Sequence, residues 1–345
     1  MMATVRRILM TSGKVYLVGA GLGRLGNLSL AAYDCLQKAD IIFYDRLINQ
    51  NLLQVAPSSC LLVNVGKKPG NHSHSQEEIT QQLIQASQEY QVIVRLKSGD
   101  PYLFGRGGEE AMALSEAGVN FAVIPGITSA IAGLAYAGIP ATYRDKSSSL
   151  HIYTGQSRAG RTDLDYQAIV NSGGTAVFLM AVKALGDIVK GLIGAGLDEK
   201  TPMAAIEWAG RAQERYLVSD LGHMLDDCQA AQIKAPALFV LGEVVTDQQK
   251  LDFFSQAPLF GHQIAVSVQT PLTDCLALED LGADLIFYPD PAAESSRQEL
   301  AKTALKQADI MISQDLLNPW QEKLAAETLH FHGSVDDFIH HFSKQ

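Results

Sequence analysis

Residues that could bind a small molecule are concentrated in the turns after predicted strands. The apolar stretch 92–96 predicts a buried strand, and it stops at Ser98-Gly99-Asp100-Pro101. A second glycine cluster, residues 105–108, precedes Glu109 and Glu110 and predicts a helix start. Two glycine clusters this close are costly in a linker, because glycine loses the most conformational entropy on folding. Since ligands of α/β sheets bind where the strands end, we expect a binding site here.

Another glycine-rich turn, GAGLGRLG at residues 19–26, follows a predicted strand and precedes a predicted helix. Gly21, Gly23 and Gly26 match the GxGxxG pattern of dinucleotide-binding proteins, and Asp45 ends the next strand, where such proteins bind a ribose. Taken alone, this pattern favours an NAD(P)-dependent oxidoreductase. A tight turn that needs glycine only for its shape has the same sequence, so the motif alone does not decide.

Composition limits the class of protein. The 345 residues leave room for two or three domains, and the 47% of hydrophobic residues can form sizeable cores. No apolar run reaches the ~18 residues of a membrane span. The four cysteines form no CxxC motif, so neither a disulfide framework nor a metal site is indicated. The net charge of −10 argues against nucleic-acid binding. From these observations together we expect a cytoplasmic protein without metal, membrane or nucleic-acid partners.

Strand and helix patterns alternate from residue 14 onward, which predicts the α/β class with a mainly parallel sheet and helices on both faces. A second set of elements begins near residue 138. The expected divisions are a leader (1–13, with Met10 as an alternative start), an N-terminal α/β domain (14–137), a C-terminal α/β domain (138–245), a polar linker (246–258) and a short α/β segment (259–345).

Several motifs together resemble those of the tetrapyrrole (corrin/porphyrin) methyltransferase family. The resemblance extends over about residues 14–245 and rests on VGAGLG (18–23), ADIIFYDRL (39–47), VGKKPG (65–70), HSHSQEEI (72–79), VRLKSGDPYLFGRGGEE (94–110), VIPGITSA (123–130), YAGIPATYRD (136–145) and VFLM (177–180). VGKKPG and YDRL are similar to the branch that acts on uroporphyrinogen III. The motifs at 94–110 and 123–130 have no use in a dinucleotide-binding domain.

The resemblance implies a homodimer of two α/β domains, with S-adenosylmethionine as co-substrate in the cleft between them. It also implies methylation of uroporphyrinogen III at C2 and C7, which gives precorrin-2 through precorrin-1 for siroheme or cobalamin biosynthesis. Two other classes stay open at this point: an NAD(P)-dependent oxidoreductase, and a tetrapyrrole-binding protein without catalytic activity.

Residue-by-residue correspondence with the family implies individual roles. Asp45 and Lys67 correspond to the proton acceptor and the proton donor. Co-substrate contacts fall on Leu22, Ser98, Gly99, Asp100, Leu103, Thr128, Ser129, Met180 and Ala209. Because the substrate carries several carboxylates, basic residues beside the motifs are candidate substrate contacts: Arg46, Lys68, Arg106 and Arg144.

Four of these residues also have ordinary structural explanations. Asp100 would cap the turn before the proline. Asp45 would cap a helix or form an ion pair with Arg46, and Lys67 would be a solvated surface lysine. On chemistry alone, Met180 is a core residue.

The sequence departs from the family pattern at several positions. In the first glycine loop, where the family has GPGDPxLLT, Leu22 replaces the proline, Arg24 replaces the aspartate, and Asn27-Leu28-Ser29 replace LLT. Ser98 and Ala209 stand where the family has glycine. The loss of the acid at position 24 affects how substrate or co-substrate is positioned, whereas the fold is unaffected.

The C-terminal segment, residues 259–345, weakly resembles the opening of a uroporphyrinogen-III synthase. Its apolar stretches 263–268 and 283–288 carry the likeness, and its length is about a third of such a domain. We expect a truncated, catalytically silent remnant. His330, His332, His340 and His341 form no ordered ligand set, so we expect them in an exposed tail.

Overall fold

The computed structural model describes residues 13–66, 75–156, 162–290, 295–314 and 318–342. Its contacts divide the chain into two compact units. Unit 1 comprises Met1–Ile127, His262–Glu279 and Asp284–Gln345, and unit 2 comprises Thr128–Gly261 and Asp280–Ala283. The leader expected at residues 1–13 lies, except for Gly13, outside the described residues. No helix in the described ranges is long and apolar enough to cross a membrane.

The first part of unit 1 is a parallel α/β sheet, which confirms the predicted fold class. Its elements are β1 (Lys14–Gly19), α1 (Leu30–Gln37), β2 (Ile41–Tyr44), β3 (Leu61–Asn64), α2 (Gln76–Glu89), β4 (Val92–Lys97), α3 (Gly107–Glu116) and β5 (Phe121–Ile124). Among the described residues the strand order is β3-β2-β4-β1-β5, and every pair is parallel. Leu17, Ile93, Leu83 and Leu114 are fully buried between the sheet and its helices. The carboxyl ends of the strands therefore share one edge.

Unit 2 has a mixed sheet. Its elements are α4 (Ser129–Tyr136), β6 (Leu150–Thr154), α5 (Tyr166–Ser172), β7 (Thr175–Leu179), α6 (Leu185–Gly194), β8 (Pro202–Glu207), β9 (Arg215–Asp220), α7 (Met224–Ala230), β10 (Ala237–Leu241) and α8 (Gln248–Leu251). The strand order in the described residues is β6-β7-β10-β8-β9. Only the pair β6 and β7 is parallel there, and β9 is an edge strand that pairs antiparallel with β8.

The expected linker at 246–258 is instead packed on unit 2. Gln248 is 1% exposed, and its Nε2 donates to the carbonyl oxygen of Ala137 at 3.0 Å. Phe254 is 2% exposed, with its ring centroid 4.8 Å from that of Tyr136 on α4. The polar composition of residues 246–258 predicted a linker. The prediction is wrong because Gln248 and Phe254 are buried and anchor the segment. The division between the units also falls at Ile127 and Thr128, earlier than the expected boundary at 137 and 138.

The C-terminal segment forms a second parallel sheet within unit 1. Its elements are β11 (Gln263–Ser267), α9 (Leu272–Asp280), β12 (Asp284–Tyr288), α10 (Ser295–Leu305), β13 (Ile310–Ser313), β14 (Leu329–His332) and α11 (Val335–Phe342). The order among described strands is β12-β11-β13-β14. The four histidines expected in an exposed tail lie on β14 and α11, because Phe331 and Phe338 pack ring against ring and order both elements.

Candidate active site

Three glycines bring the ends of β1, β4 and β5 together in unit 1. The backbone N–H of Gly21 donates to the Gly99 carbonyl at 3.2 Å, and the N–H of Gly99 donates to the Gly21 carbonyl at 2.9 Å. A Cβ on Gly126 would lie 2.1 Å from the Gly99 oxygen and 2.6 Å from the Cα of Gly19. Gly21 and Gly99 also have φ of +62° and +66°, where a side chain is strained. The glycines are therefore required for the close approach of these loops.

Asp100 ties two of these loops together. Its Oδ1 accepts from the N–H of Tyr102 at 2.8 Å, and its Oδ2 accepts from the N–H of Gly126 at 3.0 Å. The first contact is the turn cap that the sequence predicts, whereas the second joins the β4 loop to the β5 loop. Around it, Ser98 is exposed, and Leu22 and Leu103 are half-buried. These residues thus share the carboxyl edge of the sheet.

Asp45 is ion-paired, but with Arg95 rather than with its neighbour Arg46. Nη2 of Arg95 lies 2.8 Å and 2.9 Å from the two carboxylate oxygens of Asp45. Arg95 is buried on β4, next to β2, whereas the Asp45 side chain remains 34% exposed. The buried guanidinium therefore fixes the orientation of a carboxylate that solvent or a ligand can still reach.

Glu110, at the start of α3, completes this network. It is 0% exposed and accepts hydrogen bonds from Nε of Arg95 at 3.1 Å, from Nζ of Lys97 at 3.0 Å and from Nε2 of Gln76 at 2.9 Å. Burial disfavours the charge on Arg95, but Glu110 and Asp45 outweigh it, so the pKa of Arg95 is raised. Burial and the nearby Arg95 charge lower the pKa of Lys97. The Asp45–Arg95–Glu110–Lys97 chain is called the charge network below.

Neither Glu110 nor Arg95 was predicted as a site residue from the sequence. One signal was available, because Arg95 and Lys97 lie two residues apart on a buried strand and so point to the same face. Two cations on one buried face require buried acids opposite them. The sequence alone does not identify those acids.

The predicted substrate-binding arginines are dispersed on the surface of the two units. Arg46 and Arg144 are exposed. Arg106 is 53% exposed and paired with Glu109, whose Oε1 accepts from its Nε at 3.0 Å. Lys67 and Lys68, the predicted proton donor and a predicted substrate contact, lie outside the described residues.

Unit 2 holds the other predicted co-substrate contacts. Thr128 caps α4, where its Oγ1 accepts from the N–H of Ala130 at 3.3 Å, and Ser129 begins the helix. A Cβ on Gly133 of this helix would lie 2.9 Å from the Cβ of Ala209, so α4 packs closely on the loop after β8.

Met180 is not the core residue that its chemistry favours. It follows β7 with a φ of +54° and is 46% exposed. Strained, exposed residues of this kind are concentrated at functional sites. Across the described residues, no group of three or more histidine, cysteine, aspartate or glutamate side chains could hold a metal ion.

Comparison with known proteins agrees with this architecture. Residues 14–225 match the family Tetrapyrrole (Corrin/Porphyrin) Methylases. The chain is 40% identical over 283 residues, or 81% of its length, to the porphyrin biosynthesis protein HemD of Ruminiclostridium josui. It is 43% identical over 68% of its length to the S-adenosyl-L-methionine-dependent uroporphyrinogen III methyltransferase of Methanosarcina barkeri, of which it covers 92%.

A solved structure gives the same result. Uroporphyrin-III C-methyl transferase from Thermus thermophilus, crystallised with S-adenyl homocysteine, is 37% identical, with a TM-score of 0.59 over 68% of this chain and 99% of that one. The chain therefore belongs to the tetrapyrrole methylase family. It spans only 56% of the length of the R. josui relative.

Proposed function

We propose that the protein is a uroporphyrinogen-III C-methyltransferase. It transfers methyl groups from S-adenosylmethionine to C2 and C7 of uroporphyrinogen III and forms precorrin-2 through precorrin-1. The observation that carries the proposal is the junction of Gly21, Gly99 and Gly126 at the carboxyl edge of the unit 1 sheet, which lies within the family match. The names of the M. barkeri and T. thermophilus relatives support the substrate and the methyl donor.

The geometry of this edge suits a methyl transfer that depends on positioning. Transfer from a sulfonium to carbon requires the carbon, methyl and sulfur to be aligned, and little covalent help. Ser98 and Leu22 on the edge, with Thr128, Ser129, Met180 and Ala209 of unit 2, are the proposed contacts for S-adenosylmethionine, together with Gly99, Asp100 and Leu103. Both Asp100 oxygens accept backbone N–H groups, so Asp100 acts mainly by holding the Gly99 and Gly126 loops in place.

Asp45 is the proposed acceptor of the proton lost from the methylated carbon. Its carboxylate is partly exposed and held by Arg95, so it keeps one orientation while it remains within reach of a ligand. We assign Lys67 as the proton donor, and Arg46, Lys68, Arg106 and Arg144 to the substrate carboxylates, which suit arginine forks. A homodimer in the cytoplasm, serving siroheme or cobalamin biosynthesis, completes the proposal.

An anaerobic assay tests the function directly. The protein, incubated with S-adenosylmethionine and uroporphyrinogen III, should give a dimethylated product detectable by mass spectrometry. In a parallel calorimetric titration, S-adenosylhomocysteine should bind and NAD(P)H should not. Binding of NAD(P)H without S-adenosylhomocysteine would favour an oxidoreductase, and binding of both tetrapyrrole and S-adenosylhomocysteine without turnover would favour a non-catalytic binding protein. Either result would overturn the proposal.

A further inference from the structure

The first glycine loop, residues 21–26, is held by the C-terminal segment. Arg24 is 3% exposed, and its Nη1 lies 3.4 Å from Oδ1 of Asp284 at the start of β12. Its Nη2 donates to the carbonyl oxygen of Glu279 on α9. The guanidinium therefore points into the C-terminal segment, and Asp284, itself 2% exposed, supplies a counter-charge.

The carboxylate of Glu279 makes a second contact with the same loop. Its Oε1 accepts from the N–H of Leu25 at 2.9 Å, and its Oε2 accepts from the N–H of Gly26 at 2.8 Å. Glu279 is 8% exposed, and burial raises its pKa although Arg24 and the two N–H groups oppose the shift. One carboxylate thus binds two successive backbone donors of the turn that follows β1.

The loop is also contacted through a short 3-10 helix, Gln50–Val55. Asn49 caps this helix, and its Nδ2 donates to the carbonyl oxygen of Gly23 at 2.6 Å. At the far end, Arg297 of α10 donates to the carbonyl oxygen of Leu53 at 3.2 Å, and Arg297 is 2% exposed. The C-terminal segment therefore acts on the loop directly through α9 and indirectly through α10.

These contacts join residues within the family match to residues outside it. The loop lies within residues 14–225, whereas Glu279, Asp284 and Arg297 lie outside them. The loop includes Leu22, a proposed co-substrate contact, and Gly21, which bonds to Gly99. Fixing Leu25 and Gly26 therefore restrains the backbone three and four residues after Leu22.

We propose that Glu279 is a positioning residue for the methyl-donor site, because its carboxylate orders the loop at residues 21–26 from the C-terminal segment. This inference rests on the proposed function. It departs from the expectation of a catalytically silent segment.

The test is a graded series at Glu279 with a matched control. Glu279→Gln keeps one acceptor oxygen, and Glu279→Met keeps the length of the side chain with no acceptor oxygen. Glu299→Gln is the control, because Glu299 lies on α10 of the same segment with its side chain 71% exposed. Dissociation constants for S-adenosylhomocysteine, kcat and KM, and urea unfolding are measured for all four proteins. Energetic coupling between sites typically changes affinity about 5- to 150-fold, so the dissociation constant should rise at least fivefold in Glu279→Gln and further in Glu279→Met.

The control should stay within twofold of the wild type in affinity. Unfolding free energies that fall at Glu279 while affinity and kcat stay at wild-type values would assign it to fold stability alone and overturn the inference. Hydrogen exchange on the wild type gives an answer even if the variants do not fold. Saturating S-adenosylhomocysteine should slow exchange in both the loop and α9, and unchanged α9 exchange would also overturn the inference. A wild-type protein that does not bind S-adenosylhomocysteine at all would instead refute the proposed function.

Discussion

Replacing Glu110 with glutamine should be among the most damaging isosteric changes in unit 1. The substitution removes the carboxylate that neutralises Arg95 and Lys97, and both cations are almost completely buried. Removing one partner of a buried ion pair costs about 3–5 kcal/mol. The amide oxygen still accepts one hydrogen bond, which recovers about 1 kcal/mol. We therefore expect the free energy of unfolding to fall by about 2–4 kcal/mol at pH 7.

The deficit of Glu110→Gln should shrink as the pH rises. The pKa of Lys97 is already lowered by burial, and without Glu110 it falls further. Between that depressed folded value and the ordinary lysine value of 10.5, the unfolded state binds more protons than the folded state. Stability rises with pH wherever this holds. In alkaline solution Lys97 loses its proton, so one of the two buried positive charges left without Glu110 disappears and the variant regains stability.

Urea unfolding at pH 7 and pH 9 measures both effects. The control is Glu116→Gln on the same helix α3, because Glu116 is exposed and surface substitutions usually change stability by less than about 0.5 kcal/mol. A loss below about 1 kcal/mol in Glu110→Gln would contradict the charge network as described. A deficit that is the same at both pH values would contradict the predicted role of Lys97.

Three further predictions concern other parts of the molecule. Asp45→Asn should lower kcat by about 10²–10⁴-fold with little change in S-adenosylhomocysteine affinity, and a loss below tenfold would argue against proton transfer by Asp45. Gly126→Ala should destabilise the protein by about 1–3 kcal/mol in urea unfolding, because its Cβ would lie 2.1 Å from the Gly99 oxygen, whereas Gly108→Ala, with open space around the new Cβ, should not be destabilising. The contact with Asp220 raises the pKa of His223 above its ordinary 6.5, so its stabilisation is complete below that value and is lost as the pH rises through the folded pKa. His223→Gln should therefore lower Tm more at pH 5.5 than at pH 8.5, and an equal change at both would refute the pairing.

The regular elements of the fold could be predicted because their apolar patterns are local. β4 extends one residue beyond the strand predicted at 92–96, and the apolar stretches 263–268 and 283–288 differ from β11 and β12 by one residue each. Short strands were not predicted where pairing with a neighbouring strand, rather than an apolar pattern in the sequence, defines them. β3 has no fully buried residue and exists through its pairing with β2, and in β14 every residue except the half-buried Phe331 is exposed.

The candidate site could be located but not completed from the sequence. Glycine clusters and Asp100 marked the loops, because unusual backbone conformations require particular residue types. The partner of Asp45 could not be predicted, since Arg95 is 50 residues away while Arg46 is adjacent. Which buried charges meet depends on strand order, and strand order is not a local property of the chain.

The contacts of Glu279 specify how the C-terminal segment is placed on the loop. Apolar contacts alone would tolerate small shifts, whereas hydrogen bonds depend on direction as well as distance. A slip of one residue along α9 would rotate the carboxylate by about 100° around the helix axis and away from the two N–H groups. Arg24 would then lose its contact with the Glu279 carbonyl, and a buried charge with poorer compensation costs several kcal/mol. The arginine that replaces the family's acid at position 24 is thus accommodated by residues 255 and 260 positions later, and those residues fix the register of α9 against the loop.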